Sequence, residues 1–346
     1  MSIEDRTAGI DTLEREYGGK VVTYVTSERK GLTTLIASDA VFLLRRHLQS
    51  IGDVPKIGLY LVSRGGDTLV PWQIVNLIRQ YCGSFEVLVP YTAHSAATLI
   101  CLGADAIYMT KMGTLTPTDP TVSNPFNPTD PSNPKAKVPI SVEDVTGFIE
   151  LAKKQGIQHE AQITQVFLAL TSNVHPLALG NVQRAHTQIR HVAREMLRLH
   201  MDARRQKRKI ENLVETLTER LRAHAHTMNR REAAGIGLKA VAPSSALDAA
   251  MWALFEAYVS DLQMFESFSP AAMLGQEETK DIRLERAYLE TASHTDAFVT
   301  EGTLQKSRPG PSAAGTQMPG GVQPPPEVEA PQVAFRVAFE GWKALR

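Results

Sequence analysis

The sequence predicts an α/β fold with a largely parallel sheet, on three observations. Short runs rich in β-branched and aromatic residues read as strands: KVVTYVTS at 20–27, KIGLYLVS at 56–63, FEVLV at 85–89 and AIYMT at 106–110. Between them apolar residues recur at helical spacing at 36–51, 67–82 and 95–103. The alternation runs for about 90 residues, which implies right-handed βαβ crossovers and a sheet covered on both faces. In such sheets ligands bind at the carboxyl ends of the strands, so the strand-to-helix turns are the places to look for chemistry.

Residues 1–19 are charged and read as a polar lead-in. The helix at 36–51 starts from Ser38 or Asp39, both favoured N-caps. The stretch 113–134 is too punctuated by Pro, Asn, Asp and Thr for a helix or central strand and reads as an ordered loop or lid at the site edge. A helix at 140–155 and long helices over 160–223 follow. RRQKRK at 204–209 runs straight into ENLVETLTER, which makes it a solvated helix face rather than a phosphate site. NRREAAGIGL at 229–238 is a short helix capped by Asn229, and 243–265 is a last amphipathic helix. Alternating patterns at 281–291 and 296–305 predict an antiparallel pair. The resulting organisation is a lead-in (1–19), a main domain (20–265) with a helical region (140–265), a small β appendage (266–306), a Pro/Gly-rich linker (307–331) and a docking segment (332–346).

The 346 residues carry 37 basic and 37 acidic side chains, so the charge balance gives no reason to expect nucleic acid or an anionic membrane surface as partner. Cys82 and Cys101 both lie in apolar runs and fit buried thiols of a reducing compartment. The N-terminal stretch has no apolar core of the signal-peptide kind, and the uncharged run 87–104 is interrupted by Pro90, His94 and Ser95, so it splits into strand and helix rather than spanning a membrane. A soluble cytoplasmic protein is expected. The histidines are scattered without a metal-ligand spacing, and neither metal nor cofactor is expected.

Two turns stand out. In the second, Ser95 follows the strand 85–89 and opens an Ala-rich helix. A serine there is either an N-cap or a nucleophile, and both readings stand on this stretch alone. In the first, Ser63-Arg64-Gly65-Gly66-Asp67, two glycines let backbone approach a ligand closely. If the turns share a sheet edge, the N–H groups of Gly66 and Asp67 form an oxyanion hole for a carbonyl attacked by Ser95, each donor worth roughly 3 kcal/mol of barrier.

SRGGD at 63–67, AHSAATLICLGADAIYMTKMGTLTPTDP at 93–120 and a histidine ahead of EAAGIGL at 232–238 together resemble the serine dehydrogenase proteinase family, of the Clp protease and crotonase superfold and related to signal peptide peptidase. The resemblance runs over roughly residues 18–260 and rests on Gly65-Gly66, on Ser95-Ala96-Ala97, on the segment from Gly113 to Pro120 and on His224 before Glu232. It implies a Clp/crotonase-like sheet and a serine endopeptidase acting on a peptide or protein substrate. In that reading Ser95 attacks, His224 accepts its proton and Asp119 orients the imidazole. His226 and Thr227 replace the family's tyrosine and proline, which leaves His226 as an alternative base, while Pro120 rules out the Clp-type histidine position. Signal-peptide-peptidase relatives use lysine instead, and Lys135 and Lys137 are spaced for that role. Members of the superfold assemble into rings or trimers, so a homo-oligomer is expected. A catalytically inactive Clp-like oligomeric binding protein is the non-enzyme alternative; the serine elbow argues against a crotonase-type acyl-CoA enzyme.

Overall fold

The computed structural model describes residues 3–118, 121–122, 124–220, 226–307 and 332–346. The chain opens with α1 (Ile3–Tyr17), β1 (Lys20–Thr26), α2 (Asp39–Ile51), β2 (Val54–Val62), α3 (Val70–Arg79), β3 (Cys82–Val89), the two-residue β4 (Thr92–Ala93), α4 (Ala96–Leu102) and β5 (Ala106–Met109). β1, β2, β3 and β5 pair in parallel in that order, the sheet and crossovers predicted from the sequence. Each strand is apolar on both faces because each face is covered. Val22, Tyr24, Leu59, Leu61, Val87 and Val89 face a core with α2, α3, α4 and a later long helix. The alternate residues Val21, Val25, Tyr60, Val62 and Leu88 face a second core with α1 and a later helix. Burying each such side chain is worth about 1.5–3 kcal/mol.

Residues 113–141 hold short strands: β6 (Thr114–Leu115), β7 (Thr121–Val122), the hairpin β8 (Thr129–Asp130) and β9 (Asn133–Lys137), and β10 (Ile140–Ser141). Helices α5 (Val142–Lys154), α6 (Glu160–Asn173), α7 (Pro176–Arg198) and α8 (Lys207–Glu215) follow, and α8 ends in a π-helical turn, Thr216–Arg220. Then come β11 (Met228–Asn229), α9 (Arg230–Gly235), β12 (Ala240–Val241), α10 (Ser245–Leu262) and α11 (Pro270–Leu274). α9 starts from a capping box in which Asn229 and Glu232 satisfy each other's backbone N–H groups. The chain ends in β13 (Thr279–Glu290), β14 (Thr295–Ser307) and β15 (Gln332–Ala344).

Two features differ from the local reading of the sequence. Residues 3–17 form a docked helix, not a bare lead-in, because Arg6 is buried and anchored. Its guanidinium donates to both oxygens of Glu290, bonds Asp261 and stacks 4.0 Å from the Tyr288 ring. The C-terminal hairpin is also part of the main sheet. β13 pairs antiparallel with β1, from Thr23 opposite Glu290 to Thr26 opposite Ala287, and β14 and β15 continue outward. With β12 parallel to β5 at the other edge, the sheet has eight strands in the order β12-β5-β3-β2-β1-β13-β14-β15. Residues 308–331 of the expected linker lie outside the described residues.

Candidate active site

The site is built at the carboxyl ends of β2 and β3. After β2, backbone pairing continues between the two following turns: Ser63 N–H donates to Thr92 O and His94 N–H to Ser63 O, both at 2.9 Å. This parallel bridge between Ser63 and Ala93 sets the glycine turn beside the chain entering Ser95. The approach is close. A Cβ added to Gly65 would stand 2.8 Å from Ser95 Cβ, 2.8 Å from His94 O and 3.0 Å from Ala96 N. Gly66 is equally confined on its other side, where a Cβ would meet Ile36 O at 2.2 Å. The paired glycines are there because backbone lies against both, and Gly65 also holds φ +109°.

Ser95 has φ +52° and ψ −114°, one of two non-glycine residues with positive φ among the described residues. Such a backbone costs about 1–3 kcal/mol and persists only where its surroundings hold it. Here Ser95 N–H donates to Thr116 Oγ1 (2.9 Å), and Ala97 N–H to His94 O (2.9 Å). The side chain stands at the N-cap position of α4 yet makes no capping bond, and Ser95 Oγ has no hydrogen-bond partner among the described residues. A serine in a sharp, strained strand-to-helix turn with an uncommitted hydroxyl is the geometry of a nucleophile elbow. The serine as a simple helix cap is not what the structure shows.

The two amides expected to form an oxyanion hole differ. Asp67 N–H donates to Ile36 O at 2.9 Å, and Gly65 O accepts from Ile36 N–H at 2.8 Å, so the Asp67 amide is already committed. The residue between them, Gly66, turns its N–H away from Ile36 by the alternation of a parallel ladder. Among the described residues neither Gly66 N–H nor Ala96 N–H has an acceptor. The sequence reading placed Ala96 in the serine elbow but gave its amide no role; the signal for that was only that it follows the elbow serine.

Around the elbow a three-stranded sheet, β11-β6-β4, gathers segments far apart in sequence. Thr92 lies opposite Thr114 and Ala93 opposite Leu115, while Met228 lies opposite Leu115 and Asn229 opposite Thr114. His94 Nε2 is 2.9 Å from Thr114 Oγ1. Thr118 N–H donates to Leu217 O (3.0 Å), joining the end of the 114–118 segment to the π-helical turn. Asp119 and His224, the expected orienting acid and base, lie outside the described residues. His226, the alternative base, is half-exposed with Nε2 3.9 Å from Glu232 Oε1. Lys135 and Lys137 are exposed on β9, and Lys137 Nζ donates to Thr129 Oγ1 of its own hairpin (3.1 Å).

A cavity of about 1140 Å³ lies elsewhere, between α5, α7 and the π-helical turn, and is lined by His186, Arg190 and Glu219 among others. Among the described residues no group of three or more His, Cys, Asp and Glu is placed to hold a metal ion. No helix of those residues is long and apolar enough to cross a membrane.

No curated protein matches the chain. Among solved structures, two mutant forms of the 1510-N membrane-bound stomatin-specific protease, the second in complex with a substrate peptide, are similar to it at 15% identity. Their TM-scores are 0.38 and 0.37, and the alignments cover 66% and 65% of this chain and 82% and 77% of theirs. Residues 31–175, which hold β2, β3, β5, the glycine turn and the Ser95 elbow, match the family model described as ClpP-like SDH-type serine proteinase.

Proposed function

We propose that the protein is a serine endopeptidase in which Ser95 is the nucleophile. The observation that carries this reading is the Ser95 backbone: strained at φ +52°, free of any capping bond and in contact with the Gly65 turn. Ser95 Oγ attacks the scissile carbonyl while a histidine takes its proton. The carbonyl oxygen becomes an oxyanion that accepts from Gly66 N–H and Ala96 N–H. The histidine returns the proton to the leaving amine, and water then releases the acyl group by the same route. His224 is the base and Asp119 its orienting carboxylate. The support is topological: Thr118, one residue before Asp119, bonds Leu217, and Met228, four after His224, pairs with Leu115 beside the elbow.

The substrate is an extended peptide or an unfolded protein segment, and the working form is a cytoplasmic homo-oligomer. The exposed apolar side chains Phe42, Phe167 and Leu168 favour further association. The test is hydrolysis of an unfolded protein such as casein by the wild type and by Ser95→Ala, His224→Ala, His226→Ala and Lys137→Ala. Activity lost with Ser95 and His224, and kept in the other two, supports the triad. Hydrolysis intact in Ser95→Ala removes the nucleophile, and hydrolysis intact in His224→Ala removes the base.

A further inference from the structure

Glu28 lies outside every motif above, on the loop after β1. Its side chain is only 5% exposed. One carboxylate oxygen, Oε2, accepts from Arg64 Nε at 2.9 Å, and Arg64 immediately precedes Gly65-Gly66. The other, Oε1, accepts the hydroxyl of Thr92, the β4 residue three before Ser95. One carboxylate therefore bridges the chain that carries the glycine pair and the chain that carries the elbow. Arg64 itself is 62% exposed, so the arm to Arg64 ends at the surface while the carboxylate stays inside.

The backbone bonds between Ser63 and the 92–94 segment hold the two turns together at their base. Beyond that point, among the described residues, only side chains tie them. Ser63 Oγ accepts from Gly65 N–H (3.1 Å) and from Thr26 Oγ1 (2.9 Å), which fixes the glycine turn to β1 and not to the elbow. Glu28 supplies the missing cross-link. A catalytic constellation of this kind tolerates little play, since a displacement of about 1 Å in a reacting group can cost about 100-fold in rate.

We propose that Glu28 is a positioning residue that sets the distance between the Gly66 amide and Ser95, through Arg64 on one side and Thr92 on the other. The proposal rests on the serine-peptidase reading. It places the effect on turnover and not on substrate affinity, because Glu28 fixes groups that act on the oxyanion and touches no substrate itself.

The experiment compares wild type, Glu28→Ala, Glu28→Gln, Thr92→Val and Arg64→Ala in casein-peptide turnover, in the rate of labelling by a fluorophosphonate, and in thermal unfolding. Glu28→Ala is expected to lower kcat and the labelling rate about 10–100-fold with KM within about twofold. Glu28→Gln keeps an acceptor oxygen and is expected to recover part of the loss. Thr92→Val removes one arm and is expected to give a smaller loss of the same kind. If Glu28→Ala does not fold, Thr92→Val and Arg64→Ala decide: kcat unchanged in both overturns the proposal. A fall in melting temperature with kcat per folded molecule unchanged also overturns it, because that is a purely structural role. If the wild type shows no Ser95-dependent labelling, the peptidase reading fails and the proposal with it. If the wild type labels and every variant labels equally fast, the proposal alone fails.

Discussion

Gly65→Ala tests the convergence of the two turns. The added methyl would stand 2.8 Å from Ser95 Cβ, 2.8 Å from His94 O and 3.0 Å from Ala96 N, so the elbow or the glycine turn has to move by roughly half an ångström or more to reach ordinary contact. The backbone at φ +109° adds about 1–3 kcal/mol of strain. Displacing one oxyanion donor costs about 100–1000-fold in kcat when the donor is lost entirely, so partial displacement predicts a loss of about 100-fold. Gly18→Ala is the control. Gly18 has φ +71° with no atom within 4 Å of an added Cβ, so it suffers strain without collision and lies away from the site. Gly18→Ala is expected to lose about 1–3 kcal/mol in urea unfolding and Gly65→Ala more than that, and only Gly65→Ala is slowed in fluorophosphonate labelling. A folded Gly65→Ala that labels at the wild-type rate would mean that the glycine turn does not bear on the Ser95 hydroxyl.

Ser95→Ala is expected to leave unfolding free energy within about 0.5 kcal/mol of wild type, because no capping bond is lost; a drop of about 1 kcal/mol in chemical denaturation would mean the hydroxyl does cap α4. Arg6→Ala removes the buried cation that faces Glu290, 1% exposed, and Asp261, 8% exposed, leaving Glu290, among the described residues, only the neutral donors Tyr258 and Thr295, and is expected to cost about 3–5 kcal/mol in the same assay; a loss under about 1 kcal/mol would show that α1 is not anchored by this group. Burial holds His186 and His200 below the usual imidazole range, with Arg190 lowering the first and the Leu102 carbonyl partly opposing the shift in the second. Each therefore binds a proton less readily in the fold than in the unfolded chain, where the ordinary value is about 6.5, so near and below that pH the unfolded state binds more protons and stability falls on acidification. Urea unfolding at pH 7.5 and 5.5 checks the sign, and His200→Gln is expected to flatten the difference; greater stability at the lower pH would contradict it.

The strand–turn–helix order around Ser95 was legible because fully buried parallel strands leave continuous apolar runs, and because a glycine pair and a small-residue elbow are written locally. The close backbone approach at the glycine pair was also legible, but which amide stays free was not. Asp67 is committed by Ile36, thirty-one residues earlier, through a bridge that no local pattern announces. The same limit hid α1 and the C-terminal strands. Arg6 reads as solvent-facing until Asp261 and Glu290 are brought to it, and the 279–307 hairpin reads as an appendage until Tyr288 is found opposite Val25. Glu28 was invisible for the same reason, since its partners Arg64 and Thr92 lie 36 and 64 residues away. Each of these is a tertiary contact between segments whose own composition permits other arrangements.

The most direct measurement is peptide mapping by mass spectrometry after the folded protein is treated with a fluorophosphonate. A single adduct on Ser95, absent from Ser95→Ala and slowed in Gly65→Ala, is the predicted result. An unmodified Ser95 in protein shown to be folded, or an adduct on a different serine, would contradict the assignment of this elbow as the nucleophile.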